Sequence, residues 1–205
     1  MRAPVKLFLA SSNPGKLREY RELAETAPLT PLSIELELLL NFASLPQFEE
    51  NAPTFAENAA GKALHYSRLQ AGFVFADDSG LVVPALGGAP GVHSARYAGA
   101  DAADSQRIEK LLYEMRSKTG EARAAHFVCA LALARERRAL AVVTDRVDGQ
   151  ILESPRGAGG FGYDPIFYFP PLKKTFAELA AEEKNQLSHR GKAFRKLLAA
   201  LSSML

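Results

Sequence analysis

The chain has 205 residues, 47% hydrophobic and 23% charged, with a formal net charge of +2. That length and balance describe one globular domain spanning 1–205, or two lobes sharing one core, and the charge is too small to mark a nucleic-acid binder. The single cysteine, Cys129, excludes an intrachain disulfide and a cysteine-rich zinc site, and the four histidines (His65, His93, His126, His189) show no HExxH spacing. No run approaches the roughly 18 apolar residues of a membrane span. Residues 1–6 lack the apolar stretch and cleavage site of a secretion signal, so a reducing, cytoplasmic setting is expected.

In chain order, 5–10 (VKLFLA) has strand character. Asn13 and Pro14 read as N-cap and first helical position of a helix to about Glu25, with Leu17, Tyr20, Leu23 and Ala24 on one face. Residues 34–40 read as a strand, followed by a polar loop through Pro53. Thr54-Phe55-Ala56-Glu57 matches a capping box, which predicts a helix from Phe55 to about Gln70. Residues 73–76 form a short strand expected to end in Asp77-Asp78-Ser79-Gly80. Residues 87–99 read as an ordered Gly-rich loop, and 103–117 as a helix with Ile108, Leu111, Leu112 and Met115 inward. Two β-rich stretches, 124–134 and 139–151, meet at a charged turn. The first alternates Phe127, Cys129, Leu131 and Leu133. A second Gly-rich loop (157–162), a strand at 166–169, another capping box at 175–178 and a last helix from near Ser188 complete the chain. Strands and helices interleave around a hairpin. The expected fold is therefore α/β: a mixed central β-sheet flanked by helices, in two lobes with a cleft between them.

Five segments carry chemistry. Ser11-Ser12-Asn13-Pro14-Gly15-Lys16 lies between a strand and a helix, where free N–H groups, the helix dipole and the Lys16 charge suit a phosphate. It is not a Walker A loop, because Ala10 and Leu17 stand where Gly and Ser or Thr are needed, and an ordinary capped helix would look the same. The acids Asp77, Asp78, Glu49 and Glu50 suit Mg²⁺, which takes one or two carboxylates plus phosphate oxygens and water. A tight turn and solvated loop charges are the plainer readings. Glu57, Asn58 and Lys62 lie within about one turn of a helix, with Lys62 the foremost of the three to reach a phosphate or metal; a solvated helix face, and for Glu57 a capping role, are the plainer readings. Gly159 to Pro165 (GGFGYDP) lets a flat ligand approach the backbone and stack on Phe161, or is a turn with a core aromatic. Lys184, His189 and Arg190 fall in or beside a helix-to-helix turn; they supply donors for a base edge, or are solvated.

Taken together and in order, SSNPGK, FAENAAGKA, ADDSGL, LGGAPGVHSARYAG, GGFGYDPIF and EEKNQLSHRGKA resemble the inosine triphosphate pyrophosphatase family, also called XTP/dITP diphosphatase. The resemblance runs from Leu9 to Leu198. The departures, Ser11-Ser12 and Pro14, remove no group the chemistry needs. The resemblance implies hydrolysis of ITP, dITP and XTP to monophosphate and pyrophosphate, a Mg²⁺ requirement, a homodimer and no nucleic-acid or membrane partner. It assigns Ser11, Ser12, Asn13, Pro14, Gly15 and Lys16 to the triphosphate, Glu49 and Asp78 to the metal, and Asp78 also to proton acceptance. Ser79 becomes a substrate contact, Phe161, Gly162, Tyr163 and Asp164 the nucleoside stretch, and Lys184, His189 and Arg190 the base-reading group. Cleavage between the α and β phosphates needs an aimed water and neutralised charge, which Mg²⁺, Lys16 and Lys62 would supply. A Maf-type pyrophosphatase of other base preference is opposed by GFGYD and SHR. A non-catalytic nucleotide-binding protein would have lost acids that are present here.

Overall fold

The structure, a computed structural model, describes residues 4–25 and 33–205. The elements are β1 (Val5–Ala10), α1 (Pro14–Glu25), β2 (Ile34–Leu38), α2 (Phe55–Tyr66), β3 (Phe73–Val82), α3 (Asp104–Glu114), β4 (Ala124–Arg135), β5 (Arg138–Ile151), β6 (Phe167–Phe169), β7 (Lys174–Thr175), α4 (Ala181–Leu187) and α5 (His189–Ser202). The seven strands form one sheet in the order β2-β1-β3-β4-β5-β6-β7. β1 runs parallel to β2 and β3, while β6 is antiparallel to β5 and β7, so the sheet is mixed as expected. β4 and β5 are joined by Glu136 and Arg137, both in the left-handed region (φ 51° and 68°), the backbone that a two-residue hairpin turn requires. No helix among the described residues is long and apolar enough to cross a membrane.

The chain divides into two compact units: Met1–Asp78, Cys129–Asp145 and Arg190–Leu205 form the first, and Ser79–Val128 with Arg146–His189 the second. In the first unit the sheet is covered on both faces, which is why β1 reads as a continuous apolar run. On one face Leu7, Leu9, Phe75, Cys129, Leu131 and Leu133 pack against Tyr20 and Leu23 of α1 and Phe194, Leu197, Leu198 and Leu201 of α5. On the other, Phe8, Ala10, Val74, Ala76, Ala130, Ala132 and Ala134 meet Ala59, Ala63 and Tyr66 of α2. β4 thus alternates large and small residues, and its alanine face admits the alanine face of α2. The second unit is built on Leu81, Ile108, Leu111, Met115, Phe127, Ile166, Phe167 and Phe176.

Several boundaries differ from expectation. β3 does not end at Ala76; it continues through the two aspartates to Val82. The turn-forming residues are overridden because Ser94 closes on the strand: its Oγ accepts the Leu81 N–H at 2.9 Å and donates to the Gly91 carbonyl at 2.6 Å. Gly80 is needed there, since a Cβ would collide with Ser94 Oγ and lie 2.6 Å from the Gly91 oxygen. α2 stops at Tyr66 rather than Gln70: the Ser67 hydroxyl donates to the Leu64 carbonyl and the chain tightens through Leu69 N–H to the Tyr66 carbonyl. The box at 175–178 closes a 3₁₀ turn, with the Thr175 N–H on Glu178 Oε2 at 2.7 Å.

Candidate active site

In the first unit the turn into α1 is closed by its own side chains. Asn13 Oδ1 accepts the Lys16 N–H at 3.0 Å, and Ser11 Oγ the Asn13 N–H at 3.2 Å. Pro14 starts the helix, Gly15 is buried, and Ser12 is exposed. The Lys16 ammonium lies 2.6 Å from Asp77 Oδ1 and 3.4 Å from the Asp77 carbonyl. Asp77, fully buried, also accepts the Tyr20 hydroxyl at 2.6 Å and Arg190 Nε at 3.0 Å on Oδ2. Burial alone would raise its pKa, but the charges of Lys16 and Arg190 outweigh it and hold the carboxyl well below the usual carboxylate range. Arg190 Nη1 donates to Glu19 of α1, itself buried.

Asp78 leaves the strand on the other face. Its Oδ2 accepts Asn58 Nδ2 at 2.9 Å, and Asn58 is held in turn by the Ala52 N–H on its Oδ1 at 2.9 Å. Burial pushes the Asp78 carboxyl up to about 6; the Lys16 charge and the Asn58 hydrogen bond oppose this, and the charges of Glu50 and Asp77 add to it. Lys62 Nζ pairs with Glu50 Oε1 at 2.5 Å. The structure therefore brings the charge of Glu50 to bear on Asp78, whereas Glu49 is exposed and accepts Asn51 Nδ2 at 3.0 Å. Among the described residues no set of three metal-ligating side chains gathers.

In the second unit the Gly157–Gly162 loop turns on left-handed glycines and is pinned by Asp164. Asp164 Oδ2 accepts the Phe161 N–H at 2.8 Å and Lys184 Nζ at 2.5 Å, and a Cβ on Gly160 would collide with the same oxygen. Lys184 Nζ stands 5.1 Å from the centre of the Phe161 ring. The Tyr163 hydroxyl donates to the Ser94 carbonyl at 3.0 Å. The His189 ring stacks on Phe127 at 4.7 Å and 10°. Ser79 is half-buried on β3.

A profile described as the Ham1 family matches residues 7–200. The chain belongs to the Ham1 family. It is 53% identical to a protein of Geobacillus kaustophilus named dITP/XTP pyrophosphatase, across 94% of this chain and 92% of the relative. It is 50% identical to one of Thermus thermophilus with the same name, across 96% and 91%. Among solved structures, a HAM1 protein from Coxiella burnetii matches with a TM-score of 0.84 at 40% identity, covering 97% of this chain and 99% of that one. The Ham1 protein of Staphylococcus aureus matches at 0.83 and 37%, covering 98% and 100%.

The expected residues are thus distributed as follows. The structure joins Lys16 to Asp77, Asp78 to Asn58, Lys62 to Glu50, and Lys184 to Asp164. It leaves Glu49 in solvent. Lys184, His189 and Arg190 are all buried rather than solvated, and Lys184 and Arg190 have committed donors to carboxylates. Three residues were unread in the sequence: Asn58 as partner of Asp78, and Glu19 and Tyr20 as partners in the Arg190–Asp77 cluster. Only a polar Glu19 and a tyrosine on an otherwise apolar helix face hinted at the second group.

Proposed function

We propose that this member of the Ham1 family hydrolyses deaminated purine nucleoside triphosphates (ITP, dITP and XTP) to the monophosphate and pyrophosphate, keeping such nucleotides out of DNA and RNA. The observation that carries the proposal is the pair Asp77–Asp78 on β3: one carboxylate holds Lys16 beside the start of α1, and the other is a buried acid with a high pKa, oriented by Asn58. Relatives named for this activity support it.

In this reading the triphosphate lies at the start of α1, where the Ser11 to Lys16 segment offers N–H groups and the Lys16 charge. Asp78 orients a water at the α phosphorus and accepts its proton. Lys62 adds positive charge. Asp78 and Glu49 would hold Mg²⁺ together with phosphate oxygens and waters, and a further carboxylate, Glu50, acts on Asp78 through its charge. When bound, Mg²⁺ would supply positive charge to the phosphates and the departing pyrophosphate. The Phe161 to Asp164 stretch takes the nucleoside, with Phe161 stacking on the base, and Ser79 contacts substrate. Lys184, His189 and Arg190 read the base. We further place the protein in the cytoplasm as a homodimer, partly through the 87–99 segment; a monomeric mass by light scattering would refute the dimer.

The test is a nucleotide panel with purified protein and Mg²⁺, following pyrophosphate release. ITP and XTP should be the preferred substrates. Accumulation of nucleoside diphosphate and orthophosphate would refute the site of cleavage, and inertness toward all triphosphates would refute the function.

A further inference from the structure

The nucleoside loop is made of the backbone least able to hold itself still. Gly157, Gly160 and Gly162 have φ of 81°, 71° and 62°. Glycine loses more conformational freedom on ordering than any other residue. An aromatic ring carried on such a loop meets a ligand in one place only if the loop is tethered.

Two tethers come from nearby backbone and from the loop itself: the Gly159 N–H donates to the Ala177 carbonyl at 3.0 Å, and the Phe161 N–H to Asp164 at 2.8 Å. A third comes from a distant element. The Gly162 N–H donates to Asp104 Oδ2 at 2.6 Å, across 58 residues. Asp104 is the first residue of α3 and lies outside every segment that carries the family resemblance. Its other oxygen accepts Arg107 Nη2, and Arg107 Nη1 donates to the Ala95 carbonyl at 2.6 Å. The neighbouring Ser94 carbonyl is the one that accepts the Tyr163 hydroxyl. Consecutive loop residues, Gly162 and Tyr163, are therefore tied to one braced assembly of α3 and the Gly91–Arg96 turn. A hydrogen bond to a carboxylate is roughly twice as strong as a neutral one, which suits a single tether on glycine backbone.

We propose that Asp104 is a positioning residue of this loop, holding the Gly162 amide so that the Phe161 ring stands where a purine stacks. The inference rests on the function proposed above, in which Phe161 stacks on the base. Asp104 touches no reacting atom; it acts through Gly162 on nucleoside binding and leaves the triphosphate contacts alone.

The experiment separates the two ends of the substrate. Asp104→Ala should raise KM for ITP and the inhibition constant of IMP about tenfold, the worth of one charge-assisted hydrogen bond. Its kcat and its inhibition constant for pyrophosphate should stay at wild-type values. Asp104→Asn removes the same charge from the start of α3 but keeps an oxygen for the Gly162 N–H, so it should recover most of the affinity for IMP. A merely structural role predicts equal losses in the two variants and in both ligands, and that outcome overturns the proposal, as does an unchanged inhibition constant for IMP. Should Asp104→Ala fail to fold, Arg107→Met removes the brace and keeps the acceptor: weaker IMP with unchanged pyrophosphate supports the proposal, and parallel changes overturn it. A wild type that does not convert ITP to IMP refutes the function itself, whereas an active wild type with an indifferent Asp104→Ala refutes only this role.

Discussion

Asp77 and Asp78 are adjacent on β3 and serve opposite faces of the sheet, Asp77 taking the Lys16 ammonium at 2.6 Å and Asp78 the Asn58 amide at 2.9 Å. The alternation of a strand gives the two carboxylates different surroundings one residue apart. Asp77 meets two cations and stays ionised; burial, helped by the charges of Glu50 and Asp77, pushes the Asp78 carboxyl up to about 6 against the Lys16 charge and the Asn58 hydrogen bond.

Asp78→Asn should lower kcat by about 10²- to 10⁴-fold, the worth of a positioned proton acceptor. The amide has the same shape and keeps an oxygen for Asn58, so the circular dichroism spectrum should not change. Substantial turnover in a folded variant would remove Asp78 from the mechanism.

Asp77→Asn should instead destabilise the protein. It strips charge from a fully buried group that faces Lys16 and Arg190, and removing one partner of a buried pair costs about 3–5 kcal/mol. Denaturant unfolding should show a lower midpoint with the slope unchanged. A midpoint equal to wild type would mean that water replaces the carboxylate.

Activity should vanish with EDTA and return with Mg²⁺. The two neighbouring glutamates should then behave differently. Glu50→Gln should shift the Mg²⁺ dependence to higher concentration, because its charge acts on Asp78 and it pairs with Lys62. Glu49→Gln should shift it further, because the proposal gives Glu49 itself to the metal and its carboxylate is exposed. A Mg²⁺ dependence unchanged in Glu49→Gln would remove Glu49 from the metal.

ITP should exceed ATP in kcat/KM, by up to about 10⁴-fold, because donors aimed at the purine 6-position pair with a carbonyl and are left unpaired by an amino group. Arg190→Ala should reduce that ratio. The same change also deprives Asp77 and Glu19 of their cation, so both substrates lose affinity and only the ratio reports base reading. A ratio preserved in the variant would assign Arg190 to holding Asp77 alone.

Much of this was legible along the chain. The Asn13 cap, the Thr54 cap, the apolar face of α1 and the alternation in β4 are local signals, and the structure shows each of them. The strand end at Ala76 and the helix end at Gln70 were misplaced, because Asp-Asp-Ser-Gly is a turn signal until Ser94 satisfies the strand, and Ser67 ends α2 through its own hydroxyl.

Sequence by itself determined the inventory: which acids, cations and glycines are present, and on which elements. These follow from spacing and from motifs a few residues long. Only the tertiary structure decided the pairing. It gave Asp77 to Lys16, Asp78 to Asn58 and Glu50 to Lys62, and buried Lys184 and Arg190 against carboxylates. Arg190 and Asp77 are 113 residues apart, and Asp104 and Gly162 58. No local rule links such positions: a buried charge takes whichever partner the packed sheet brings within reach, because leaving it unpaired costs more than any local preference can return.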